Sequence, residues 1–99
     1  MKNISKLIWS EEAINNLKEI LDYLESKWTE RELRNFAKKL ERQIDIIKSQ
    51  PLSYPKSKNK NIRRAVMTKQ TTVYYGITKD SIRIVSLFDN RKNPKKLKI

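Results

Sequence analysis

Apolar residues recur at helical spacing through the first half of the chain and gather into short β-branched and aromatic runs in the second, the period changing near Pro51. Ile4, Leu7, Ile8 and Trp9 make a short apolar segment ending at Ser10, a helix-capping residue type. Glu11 and Glu12 follow, where a helix start favours negative charge. A strand leading directly into a helix is predicted. Ala13, Ile14, Leu17, Ile20, Leu21, Leu24 and Trp28 then recur at three- and four-residue steps, with Lys18, Glu19, Asp22 and Glu25 on the other side. That is an amphipathic helix of about four to five turns. Thr29 with Glu32 has the form of a capping box, and Trp28 stands where a hydrophobic staple to Leu33 is expected. A second helix begins there, carries Leu33, Phe36, Ala37, Leu40, Ile44 and Ile47 on one stripe, and stops at Pro51. So short a connection predicts an antiparallel helical hairpin.

Residues 51–61 hold two prolines and alternating lysines, the chemistry of a surface loop. Ile62 to Thr68, Thr71 to Thr78 and Ser81 to Phe88 are rich in Val, Ile, Thr, Tyr and Phe, and polar breaks separate them. They predict a three-strand meander, with turn types left open because neither break contains glycine. The expected fold is α+β: an N-terminal strand and an antiparallel two-helix hairpin packed on a three- to four-stranded antiparallel sheet. Bulky residues occupy both faces of the last two strands, where a strand covered on one face alternates more cleanly. Helices are therefore expected on one face, with the other partly shielded or used for contacts. At 99 residues the chain is expected to be a single domain, 1–99, ending in a basic tail over 89–99.

Charge sharpens this picture. The chain carries a net +12, and residues 51–99 contribute 13 Lys and Arg against two acids, whereas residues 1–50 contribute 10 against nine. No carboxylate lies between Pro51 and Lys79. A biased genome explains a lysine-rich composition but does not sort the acids into one half, so a polyanionic partner is expected. The absence of Cys and His excludes disulfides, thiolate nucleophiles, sulfur-ligated zinc and the commonest general base. A lone glycine, Gly76, excludes a glycine-rich phosphate loop. No metal or cofactor is expected. No apolar run approaches the ~20 residues that cross a bilayer, and the expected location is the cytoplasm without membrane contact.

Catalysis, if any, must run on Lys, Arg, Tyr, Asp or Glu. Arg63, Arg64, Lys69, Arg83 and Arg91 would converge on a scissile phosphate if the three strands are adjacent, with Tyr74 or Tyr75 to stack a base or donate a proton. Arg63 and Arg64 are neighbours in a strand and must point to opposite faces, as must Tyr74 and Tyr75, so one tyrosine is expected in the core. Most acids fall on the helices in capping or solvated positions, and Asp89 reads as a salt-bridge or turn residue.

The order of strand, long helical hairpin, basic loop and meander resembles the RelE/ParE superfamily of bacterial toxins over essentially the whole chain. Further points of likeness are Trp9-Ser10 before the first helix, Ile62-Arg63-Arg64-Ala65, Val73-Tyr74-Tyr75, and the stretch from Leu87 to Pro94. The resemblance implies the toxic half of a type II toxin–antitoxin pair, held inactive by a small antitoxin with an acidic C-terminal segment. RelE-like members cut mRNA on the ribosome, whereas ParE-like members poison DNA gyrase without cutting nucleic acid. Thr72 stands where RelE-like enzymes keep an arginine, and no tyrosine follows Arg91. Those departures, with the Ile62-Arg63-Arg64 run and long hairpin, favour the ParE branch. Gyrase is then the expected target, with no catalytic residue and with Arg63, Arg64, Tyr75, Arg83, Arg91, Lys92, Lys95 and Lys96 as the contact set. The alternatives are an mRNA interferase using Arg63, Lys69, Arg83 or Arg91, and a non-toxic nucleic-acid-binding module.

Overall fold

The computed structural model of the protein describes residues 6–27, 29–58 and 61–89. Within them the chain forms β1 (Lys6–Trp9), α1 (Glu11–Lys27), α2 (Glu30–Ser49), β2 (Arg63–Val66), β3 (Thr71–Thr78) and β4 (Ser81–Asp89). Local chemistry accounts for the helix starts. The Ser10 hydroxyl accepts the Ala13 N–H at 2.9 Å, and Thr29 and Glu32 form the reciprocal capping box, the Thr29 hydroxyl accepting the Glu32 N–H at 3.4 Å. Trp28, the expected staple, lies outside the described residues. At the far end of α2 the Gln50 N–H reaches the Ile46 carbonyl at 2.8 Å, and Pro51 prevents another turn.

The strands form one sheet in the order β1-β4-β3-β2. The expected all-antiparallel sheet is corrected in one respect: β1 runs parallel to β4, with Lys6 opposite Ser81 and Trp9 opposite Ile84. A parallel pair needs a long crossover, and here both helices and two strands intervene between its members. The meander itself is antiparallel, Arg64 facing Tyr74 and Thr78 facing Ser81.

One face of the sheet carries the core. Ala65, Val73, Tyr75, Ile82, Ile84 and Leu87 pack there against Ala13, Ile20 and Leu24 of α1 and Phe36, Leu40, Ile44 and Ile47 of α2. Strict alternation along β4 would put Ile84 and Leu87 on opposite faces. The register shift between Tyr74 and Tyr75 resolves this, since Tyr75 faces Ile84 while Tyr74 faces Ser86. Val85 is left over as a bulge, and both Ile84 and Leu87 enter the core. Beyond the bulge α1 takes the place of β1 as the neighbour of β4, the Asn16 side-chain oxygen accepting the Leu87 N–H at 3.1 Å.

The loop after α2 is surface chain pinned at its base. Tyr75 is fully buried and donates its hydroxyl to the Pro51 carbonyl at 2.6 Å. Its ring meets Tyr54 edge-on, centroids 6.3 Å apart, and the Gln43 side-chain amide donates to the Tyr54 hydroxyl at 2.8 Å. The chain then lies along β2, where the Arg64 N–H reaches the Pro55 carbonyl at 2.9 Å and Lys56 forms a bridge with Arg63.

Candidate functional site

With both helices on one side, the other face of the sheet has no covering element among the described residues. Register and alternation place its side chains in cross-strand rows. Val66, Thr72 and Phe88 form one row, and Arg64, Tyr74 and Ser86 the next. Gly76, Arg83 and Ile8 follow, then Thr78, Ser81 and Lys6. Among the described residues no carboxylate belongs to this face. The nine acids of the first half all lie on α1 or α2 and are exposed there. The sequence's charge asymmetry therefore becomes a spatial one, with Lys6, Arg64 and Arg83 on a face free of acids.

Exposure is uneven across it. Val66 is 61 % exposed and Ile8 49 %, Phe88 is half-buried, and Arg64 and Arg83 reach solvent. Tyr74 is nearly covered although it faces away from the helices. Burial raises its phenol's pKa, and the positive charge of Arg64 partly opposes that rise. Arg64 and Arg83 stand two strands and one row apart, roughly 12 Å between Cα atoms for standard sheet spacings. At the end of the face a cavity of about 600 Å³ opens, lined by Asn61, Arg63, Gly76, Ile77, Thr78 and Arg83, so that Arg63 and Arg83 border one concavity. A Cβ at Gly76 would sit 3.4 Å from the Asn61 carbonyl oxygen, at the near limit of ordinary contact.

The candidates named from the sequence do not all meet on this surface. Arg64 and Arg83 do. Arg63 points to the helix-covered side, where its guanidinium donates to the Tyr54 carbonyl at 2.6 Å. Tyr75, expected to contact the target, is corrected to a core residue: it is fully buried, and its hydroxyl is spent on Pro51. Lys69 is exposed in the connection between β2 and β3, away from the rows. Arg91, Lys92, Lys95 and Lys96 lie outside the described residues. Phe88, Lys6 and Ile8 join the face without having been singled out. The parallel pairing of β1 brings in Lys6 and Ile8, and the Val85 bulge sets the phase of Phe88. Neither leaves a short-range signal in the sequence.

A second concavity, about 550 Å³, runs between the helices and is lined by Leu7, Leu17, Leu21, Phe36, Leu40 and Ile44, with Lys38, Glu41, Asp45 and Lys48 at its margin. Among the described residues, no group of three or more acidic side chains is placed to hold a metal ion, and no helix is long and apolar enough to cross a membrane.

A family model described as the ParE toxin of the type II toxin–antitoxin system parDE matches residues 7–94. No protein with a curated description matches the sequence. Among solved structures, the chain is similar to the chromosomal ParDE system of P. aeruginosa, with a TM-score of 0.74 at 12 % identity, covering 89 % of this chain and 98 % of that one. It is also similar to the E. coli DinJ–YafQ toxin–antitoxin complex, with a TM-score of 0.61 at 12 % identity, covering 91 % and 97 %. For the solution structure of HP0894 from Helicobacter pylori the TM-score is 0.56 at 15 % identity, covering 87 % and 94 %. At such identities these structures establish a shared fold.

Proposed function

The chain belongs to the ParE toxins of type II toxin–antitoxin systems, and from that premise we propose that its target is DNA gyrase, which it poisons without cutting nucleic acid itself. As the toxin component of such a module it has an antitoxin for a partner. In the proposed reading that antitoxin is small and acidic, the whole chain acts as one domain in the cytoplasm, and neutralisation exploits the toxin's net charge of +12.

The observation that carries the choice of target is the chemistry of the open face. Among its described residues stand cations, hydroxyls and apolar groups, but no carboxylate or imidazole to take a 2′-hydroxyl proton near neutral pH. Thr72 occupies the position where RelE-like enzymes keep an arginine, and Tyr74 is covered and held protonated by burial. The proposed contact set is Arg64 and Arg83 with Arg91, Lys92, Lys95 and Lys96, and Arg63 supports it from the far side of β2.

The test is direct. Purified toxin added to gyrase and supercoiled DNA is expected to trap gyrase-cleaved DNA, and expression without antitoxin is expected to arrest growth. Ribosome-dependent mRNA cuts in the absence of trapped DNA would replace gyrase with the interferase reading. Arg64 beside Tyr74 keeps that second reading concrete, with Arg83→Ala expected to lower cleavage by about 10² to 10³ if Arg83 stabilises the transition state. Growth unaffected by the free chain would leave a non-toxic binding module.

A further inference from the structure

We propose that the open sheet face is a binding site for single-stranded nucleic acid, in which Phe88 stacks on a base while Arg64 and Arg83 hold neighbouring phosphates. The site goes beyond the gyrase reading and stands whichever target the toxin has. Three observations converge on it. First, the face presents cations and no acids, with Arg64 and Arg83 on non-adjacent strands of one surface. Such spacing follows a backbone laid across the strands, whereas two arginines on one strand would follow it along them.

Second, the cationic rows adjoin an apolar one. Phe88 is half-buried, so its ring is held by the sheet and still reachable, and Val66 at the other end of that row is 61 % exposed. A fixed aromatic ring beside guanidinium groups suits unstacked bases, which offer a π-face whatever their sequence. Thr72, partly exposed between Val66 and Phe88, puts a hydroxyl within reach of a sugar or base edge, whereas Tyr74 and Ser86 in the next row are covered. A double helix keeps its bases stacked and offers this ring nothing.

Third, the chief rival occupant, an extended acidic polypeptide, would ordinarily add as a strand to a sheet edge. The outer edge of β2 is already engaged over its first half by the Pro55 carbonyl on the Arg64 N–H and by the Lys56–Arg63 bridge. That half of the β2 edge is closed to an added strand, and the face suits a ligand that brings its own flat groups and its own charge.

Fluorescence anisotropy with labelled oligo(dT) and the purified full chain tests the proposal. Wild type is expected to bind with a steep salt dependence, and Arg64→Gln and Arg83→Gln each to lower the log–log slope by about 0.7, the single-strand value per phosphate contact. Phe88→Leu, which retains apolar volume but loses the ring, is expected to weaken binding by about tenfold or more, with Phe88→Trp restoring it. Circular dichroism on each variant separates these effects from unfolding. Unchanged binding in folded Phe88→Leu and in the double arginine variant would overturn the proposal, as would equal affinity for duplex of the same length. Displacement by polyglutamate at matched charge would assign the face to an acidic polypeptide instead.

Discussion

The hydroxyl of Ser10 donates to the carbonyl oxygen of Val85 at 2.7 Å, joining residues 75 positions apart in the chain. The same hydroxyl accepts the Ala13 N–H, so one side chain caps α1 and holds the bulge of β4. The Ser10 N–H adds a 3.0 Å bond to the Ile84 carbonyl, the last rung before β1 gives way to the helix. Where the edge strand stops and where the bulge sits are thus one structural event. Its consequence reaches the site, because the bulge decides that Leu87 faces the helices and Phe88 the open side.

Ser10→Ala removes a helix cap and the bulge's donor together. Its expected cost is about 1–3 kcal/mol, above that of an ordinary cap, since the Val85 carbonyl also loses its partner. Urea denaturation at neutral pH measures it. Ser10→Thr, which keeps the hydroxyl, is expected to retain most of the stability. Adding Asn16→Ala to Ser10→Ala is expected to cost less than the sum, because both support the same stretch of β4.

Arg63 and Arg64 are chemically identical neighbours with opposite expected phenotypes. Arg63 holds the Tyr54 carbonyl at 2.6 Å and is half-buried, so Arg63→Ala is expected to destabilise the fold by about 1–3 kcal/mol through loss of a charged hydrogen bond and of packing. Arg64 is exposed on the open face, so Arg64→Ala is expected to change stability by less than about 0.5 kcal/mol while reducing toxicity. Melting curves with growth assays in parallel separate the two. Equal melting temperatures for both variants would contradict the assignment of faces.

The element order was legible because it is written in local chemistry. Thr29 and Glu32 announce α2, Pro51 ends it, and the run from Thr71 to Thr78 matches β3 residue for residue. What could not be read was pairing. Nothing near Lys6 says that β1 will lie parallel to β4, and nothing near Val85 says that it will fall out of register. Both depend on Ser10 and Asn16, far away in the sequence. Arg64 and Arg83 were found because charge alone marks them. Phe88 was not, since its phase depends on the bulge, and Tyr75 was misplaced because one residue's parity decides between core and surface.

A buried carboxylate supplies another test. Asp89 is 5 % exposed at the end of β4, and the hydroxyl of Thr71, its partner in register, donates to it at 3.0 Å. Thr71→Val keeps the shape and takes away that donor. The expected loss is about 1–3 kcal/mol, because a buried acceptor gives up a bond that it cannot replace from water. Thr71→Ser is expected to restore most of it, and a valine variant as stable as wild type would show that the hydroxyl contributes little.

Tyr75 gives the fold a pH signature. Burial pushes its phenol up to about 12 from an ordinary value of 10.0, against a smaller downward pull from Arg63 and with a further upward contribution from Tyr54. Because the folded state holds the proton more tightly than the unfolded chain, the resulting stability is complete below about pH 10 and is lost as pH rises through about 12. The loss over that window is on the order of 2–3 kcal/mol. Tyr75→Phe lacks the titration and also lacks the bond to Pro51, so at neutral pH it is expected to be less stable than wild type by about 1–2 kcal/mol. Every other ionisation is common to the two proteins, and the difference between their stability curves removes that background. The wild-type advantage is therefore expected to shrink from pH 10 upward and to vanish or reverse near pH 12. Parallel curves would mean that the phenol is not held as the structure has it, and the anchoring of the Pro51 loop would need another explanation.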